Sequence, residues 1–185
     1  KPVNLASEGK VPDDASVLIM PGPTSEPFPN ELELIDAYLN KGGSVLILLD
    51  PPPSASLGDF MKKWSIDAGN NFVVDASGVG RLFGAGPTIP LVTNYGNHKI
   101  TEHFNVMSFF PLVRSVSPAA QPAAGLTVEK LLSSNERSWG ETNMKSPEAS
   151  MDEKTDLKGP VPLAVVATKD LPENKKGRLV VYGDS

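Results

Sequence analysis

The predicted architecture starts from Val45-Leu46-Ile47-Leu48-Leu49, an apolar run that lacks the alternation of a half-exposed strand. Such a run is typical of a strand covered on both faces of its sheet. Residues 16–20 form a second short apolar run, which ends at a proline-rich turn and also predicts a strand. Between the two runs, residues 30–43 predict a helix, and Asn30 and Glu33 have the spacing of an N-cap pair. This order of elements predicts a right-handed βαβ unit with parallel strands.

The rest of the chain extends this unit. Residues 57–64 have the apolar spacing of a second helix, and residues 72–75 predict a third strand of the same sheet. Near the end, residues 162–168 and 178–182 predict an antiparallel hairpin. Residues 127–132 fit either a strand or a short helix. The residues therefore predict an α/β domain with a mostly parallel sheet flanked by helices.

Composition excludes several classes of protein. With 185 residues the chain is long enough for a single domain, residues 1–185, with its own core. The 17 basic and 22 acidic side chains give a net charge of −5 without a basic run, which argues against a nucleic-acid partner. The absence of cysteine and the presence of only two histidines argue against disulfides and thiolate or multi-histidine metal sites. We expect neither a metal nor a cofactor.

The ends of the sequence suggest a piece of a longer protein. The sequence begins at Lys1 and stops at Ser185, just after an apolar run. Its longest apolar runs have about five residues, whereas a membrane-spanning helix needs about 20. We expect a soluble domain excised from a longer chain, with any membrane anchor outside residues 1–185.

Candidate ligand-binding residues follow the predicted strands, because ligands of open α/β sheets sit beyond the carboxyl ends of the strands. Thr24 and Ser25 follow the first strand, Asp50 follows the second, and Asp184 and Ser185 follow the last. The first of these turns is rich in proline, which has no N–H to offer a phosphate. The turns therefore disfavour a nucleotide site.

Tyr95 and His98 are further ligand-binding candidates in a loop. His98 and His103 flank Glu102, but no third metal ligand is apparent, so a histidine that ties the loop to its backbone is the alternative. The sequence Gly183-Asp184-Ser185 resembles the nucleophile block of GDSL-type hydrolases, although neither histidine has that family's Asp-x-x-His spacing. A plain turn at the strand end is the competing interpretation.

Trp139 lies in a long polar stretch, residues 135–159, that predicts a mobile or functional loop. A tryptophan in such a stretch either anchors the loop to the body of the domain or contacts a partner. Trp139 is therefore our candidate for a partner contact.

Seven short motifs carry a family resemblance and are spread over nearly the whole chain. They are Val11-Pro12-Asp13-Asp14-Ala15, Ala37-Tyr38-Leu39-Asn40-Lys41-Gly42-Gly43, Leu48-Leu49-Asp50-Pro51, Tyr95-Gly96-Asn97-His98-Lys99-Ile100-Thr101, Ser138-Trp139-Gly140-Glu141, Asp156-Leu157-Lys158-Gly159-Pro160 and Val181-Tyr182-Gly183-Asp184-Ser185. In this order they resemble the extracytoplasmic domain of the auxiliary component of ABC-type transport systems. That family includes the gliding-motility-associated ABC transporter auxiliary protein.

The resemblance implies a three-layer α/β domain of the class I glutamine amidotransferase-like kind, with flavodoxin-like topology. It also implies a place on the periplasmic or extracytoplasmic face of a bacterial inner membrane, permease and ATPase subunits as partners, and a link to gliding motility or export. No catalytic residue is implied, and the cysteine nucleophile of amidotransferases is missing. We therefore expect a non-catalytic binding domain. The alternatives are a sensor of a small sugar or peptide, or a hydrolase that uses Ser185 or Asp50 with His98.

Overall fold

A computed structural model describes residues 1–51, 55–143 and 149–185. In these ranges the α-helices are α1 (Leu5–Glu8), α2 (Pro29–Leu39) and α3 (Ala55–Lys63), and short 3₁₀ helices span Val79–Phe83 and Pro172–Asn174. The strands are β1 (Leu18–Pro21), β2 (Ser44–Leu48), β3 (Ile66–Ala68), β4 (Phe72–Asp75), β5 (Leu91–Val92), β6 (Asn94–Tyr95), β7 (Ser108–Phe109), β8 (Val116–Pro118), β9 (Leu126–Ser133), β10 (Ser138–Glu141), β11 (Leu157–Lys158), β12 (Pro162–Asp170) and β13 (Lys176–Tyr182).

A six-stranded sheet forms the centre of the molecule, in the order β1-β2-β13-β12-β9-β6. Strand β2 is parallel to β1 on one side and to β13 on the other. The predicted parallel pair of the βαβ unit is therefore confirmed. The predicted hairpin of β12 and β13 is confirmed as well, and residues 127–132 lie in a strand rather than a helix.

The predicted fold class is wrong. The sheet is mixed, because β12, β9 and β6 join it in antiparallel pairs, so it is not a mostly parallel, flavodoxin-like or amidotransferase-like sheet. The predicted third strand, β4, does not enter it but pairs antiparallel with β10 in a separate sheet of the order β11-β10-β4. The position next to β2 is instead taken by β13, from the other end of the chain.

The N-cap of helix α2 is Phe28, two residues before the predicted N-cap Asn30. The Phe28 N–H donates to the Glu31 carboxylate over 2.9 Å, and Pro29 occupies the first turn, where its missing N–H costs nothing. The predicted pair of Asn30 and Glu33 is therefore wrong, because the observed pair lies two residues earlier. The helix buries Leu32, Ile35 and Leu39 against the sheet, as its apolar spacing requires.

Two hydrophobic cores lie on opposite sides of the central sheet. On the helix side, Val45, Ile47 and Leu179 pack with side chains of α2 and α3. On the other side, Leu132 and Val166 pack with residues of β4, β5 and the segment before β8. Alternate residues of one strand point to opposite faces, so β13 contributes to both cores. The third layer is therefore built of short strands and loops instead of helices.

Residues 135–159, predicted as a polar loop, contain β10 and β11. Residues 144–148 of this segment lie outside the described residues, as do residues 52–54, which include the last two residues of the predicted strand tip 50–53. Within the described ranges, no helix combines the length and the apolar character that crossing a bilayer requires.

Candidate functional site

Strands β1, β2 and β13 run in the same direction, so the segments that follow them meet at one edge of the sheet. There the Ser185 hydroxyl donates to the Asp50 carboxylate, with 2.8 Å between Oγ and Oδ2. Gly22, after β1, has a φ of +53°, and a Cβ on it would lie 2.8 Å from the Ser185 Oγ. The structure thus brings together three segments that the strand-tip rule placed at one edge.

Asp184 adds a second carboxylate to this edge. Burial raises the pKa of Asp184, and the neighbouring charge of Asp50 raises it further. The edge therefore offers hydrogen-bond acceptors from two carboxylates and one hydroxyl. Such a set suits a ligand that presents N–H or O–H groups.

Arg114 lies behind this edge and was not among the predicted site residues. Its side chain is completely buried, and its guanidinium donates to the backbone carbonyls of Asp50, over 3.4 Å, and Gly69. The Arg114 N–H donates to the Gly183 carbonyl over 2.8 Å. One residue therefore fastens the segments after β2, β3 and β13 to one another.

The charge of Arg114 is poorly compensated. No ion pair among the described residues includes it, and its Nε finds no hydrogen-bond partner there. Burial lowers the pKa of Arg114 to about 10. The one sequence signal is a charged residue inside an apolar run, Leu112-Val113-Arg114-Ser115-Val116, and that signal does not say what the residue contacts.

Tyr95 and His98 lie on a different part of the sheet. Tyr95 is on β6, and strands β9 and β12 separate it from β13. Its hydroxyl contacts the Ser108 hydroxyl over 2.9 Å, and its ring meets Phe104 edge-on beside a cavity of about 200 Å³. The His98 Nδ1 accepts from the Ile100 N–H over 3.1 Å, which ties the loop to its own backbone.

This placement matters for the hydrolase alternative. Among the described residues, the hydroxyl of Ser185 bonds to Asp50 and to no histidine. A serine nucleophile needs a base within hydrogen-bond reach. The edge therefore has a hydroxyl and carboxylates but lacks the histidine that the alternative requires.

The remaining candidates have simpler surroundings. Thr24 and Ser25 are exposed beyond β1. Trp139 lies in β10, is 9% exposed, and donates from its indole N–H to Glu141 over 3.2 Å. This arrangement is that of a residue anchoring its segment to the domain, and the partner contact of Trp139 stays a prediction.

The chain is similar to a protein family and to a solved structure. A family model described as "ABC-type uncharacterized transport system" matches residues 1–185. No curated protein matches significantly. A solved structure titled "mmIFT52 N-terminal domain" is similar with a TM-score of 0.64 and 17% identity, covering 93% of this chain and 67% of that one. At this identity the likeness concerns the fold alone, and it agrees with the corrected, strand-rich architecture.

Proposed function

Because the chain belongs to the family of ABC-type uncharacterized transport systems, we propose that it is a non-catalytic binding domain. Its membership in this family confirms the predicted resemblance to an auxiliary component. In this proposal the domain is held on the extracytoplasmic face of a bacterial inner membrane and binds the permease and ATPase complex there. A role in gliding motility or export is the setting we propose for that complex.

The observation that carries the proposal is the composition of the edge formed by Gly22, Asp50 and Ser185. The hydroxyl of Ser185 is engaged by Asp50, and strands β9 and β12 separate this edge from the loop of His98. Recognition needs only fixed donors and acceptors, whereas hydrolysis needs a positioned base as well. The edge has the fixed donor and acceptors that recognition needs.

Affinity purification of the full-length protein from its native membrane tests the partner. We expect the permease and ATPase of one ABC system to co-purify, identified by mass spectrometry. A preparation that retains the membrane-bound protein but neither subunit would contradict the proposal.

The acceptor-rich edge also supports a second candidate, a sensor of a small sugar or a peptide amine. A ligand at about 100 times its Kd would add about 2.7 kcal/mol to the free energy of unfolding. Thermal-shift screening with sugars and short peptides measures this stabilisation. The variant Asp50→Asn removes one carboxylate of the edge and should weaken the response. No shift with any member of these classes would exclude the sensor.

A further inference from the structure

Exposed apolar side chains are concentrated in one part of the described chain. Fourteen large apolar side chains are exposed there, and nine of them lie between residues 79 and 112. They are Val79, Leu82, Phe83, Ile100, Phe104, Val106, Met107, Phe109 and Leu112. The most exposed is Leu82, at 83%. Single exposed apolar residues need no explanation, but a concentration of this kind marks an interaction surface.

These residues come from two segments that the structure joins. We call residues 79–84 and 100–112 the apolar loop face. The rings of Phe83 and Phe109 meet edge-on with 5.8 Å between their centroids, which links the first segment to the second. Within the second segment, the ring of Phe104 packs on Tyr95, whose hydroxyl bonds to Ser108. These contacts join the aromatic side chains of the two segments.

The charge around this face differs from that of the rest of the molecule. Residues 76–128 contain one acidic side chain and three basic ones, of which Arg81 and Lys99 are exposed and the third is buried, although the whole chain has 22 acidic and 17 basic side chains. The single acid, Glu102, is paired with Lys99 over 3.1 Å. Arg81 is exposed between the apolar side chains of the first segment and enters no ion pair among the described residues.

We propose that the apolar loop face docks on an anionic lipid bilayer. Apolar side chains flanked by cations suit the interface, where the apolar groups enter the acyl boundary and the cations meet the head groups. The acidic remainder of the chain would be repelled by the same surface, so the charge distribution also orients the domain. A second copy fits less well, because Glu102, the single acid of this region, is already paired with Lys99 and the Arg81 of each copy would stay uncompensated. This inference does not depend on the chemistry of the edge at Asp50 and Ser185.

Flotation of the 185-residue chain with phosphatidylcholine vesicles, with and without phosphatidylglycerol, tests the proposal. We expect binding to the anionic vesicles that weakens with added salt. Leu82→Asp should lower this binding about tenfold or more, since it removes an inserted apolar group and adds a repelled charge. Arg81→Gln should lower it about fivefold, the share of one cation near the surface.

Phe28→Asp is the matched control. Phe28 is 64% exposed and lies outside the apolar loop face, so the variant makes the same kind of change elsewhere. We expect it to bind as the unchanged chain does, and circular dichroism should show all variants folded. Failure of the unchanged chain to bind anionic vesicles would overturn the proposal, as would equal losses in Leu82→Asp and Phe28→Asp. Loss of permease capture or of self-association in Leu82→Asp, without vesicle binding, would also overturn it in favour of a protein partner.

Discussion

The two sides of the six-stranded sheet use different kinds of cover. On one side, α2 and α3 lay continuous apolar faces on the strands and bury Ile35, Leu39 and Met61 completely. On the other side, short strands and loops bury Val73, Val92 and Val113, but a 3₁₀ helix and β7 leave Leu82 and Phe109 exposed. Regular helices can satisfy their own backbone and give all their apolar surface to the core. The short segments on the other side leave part of their apolar surface uncovered, and this is the surface that we propose to dock on a bilayer.

The largest expected effects test whether the two sides fold as one unit. Leu39→Ala on the helix side and Leu131→Ala on the other should each lower the free energy of unfolding by about 2–5 kcal/mol, since both side chains are fully buried. Urea unfolding, followed by near- and far-ultraviolet circular dichroism, should show one shifted transition for both variants. Two separate transitions would mean that each side is stable alone, which would contradict a single domain of residues 1–185.

Arg114, which joins the segments after β2, β3 and β13, should give the next largest effect. Arg114→Ala should lower the free energy of unfolding by about 3 kcal/mol, because it leaves a cavity and two unbonded carbonyls. Arg114→Met leaves the same two carbonyls unbonded, but it keeps most of the packing volume and removes a buried cation that lacks an ionic partner, so its cost should be smaller, about 1 kcal/mol. Chemical denaturation compares the two variants. A larger loss in Arg114→Met than in Arg114→Ala would contradict this account of the residue.

Asp75, at the end of β4, and Asp184, at the strand-tip edge, should respond to pH with opposite signs. Burial opposes ionisation of Asp75, but hydrogen bonds from Ser77, Asn135 and Leu91 outweigh it and lower its pKa. The ionised form of Asp75 therefore stabilises the fold at pH values above 3.8, and this stabilisation is lost as pH falls through its lowered pKa. Asp75→Asn should cost about 1 kcal/mol at pH 7.

For Asp184, burial and the charge of Asp50 raise the pKa, so the ionised form destabilises the fold at pH values above that pKa. Asp184→Asn should stabilise the chain at pH 7 by about 0.5 kcal/mol after allowance for solvent screening, and the gain should vanish below pH 3.8. Unfolding free energies at several pH values measure both residues. The same sign for both variants at pH 7 would contradict the assignment.

The smallest effect concerns the start of α2, on the helix side. Glu31→Ala should cost about 0.5–1 kcal/mol, because it removes the acceptor of the Phe28 N–H. Asn30→Ala should change the free energy of unfolding by less than about 0.5 kcal/mol, as a surface substitution. Thermal unfolding separates the two, and a larger loss at Asn30 would restore the N-cap that the sequence pattern suggested.

Local patterns explain why the helix side was predictable. Each signal on that side depends on residues that are close together in the sequence. These signals are the apolar spacing at Leu32, Ile35 and Leu39 and the apolar runs that form β1 and β2. The place of β13 beside β2 depends on pairing across more than a hundred residues, which periodicity does not encode. The sequence of β4 is typical of a strand of the central sheet, yet β4 pairs with β10 in a separate sheet.

The candidate site was predictable to the extent that it follows the strand ends. Asp50 and Ser185 meet because β2 and β13 are parallel neighbours, as the strand-tip rule requires. Arg114 was missed because a lone arginine in an apolar run has no spacing that points to its contacts. His98 could not be placed, because the sequence does not say that its loop follows β6 at the far end of the sheet.

Hydrogen exchange of the 185-residue chain, with and without phosphatidylglycerol-containing vesicles, tests most directly whether the apolar loop face binds the membrane. We predict slower exchange in residues 79–84 and 100–112 when vesicles are present, and unchanged exchange in α2 and α3. Slower exchange confined to α2 and β1, or no change in residues 79–112, would contradict the account.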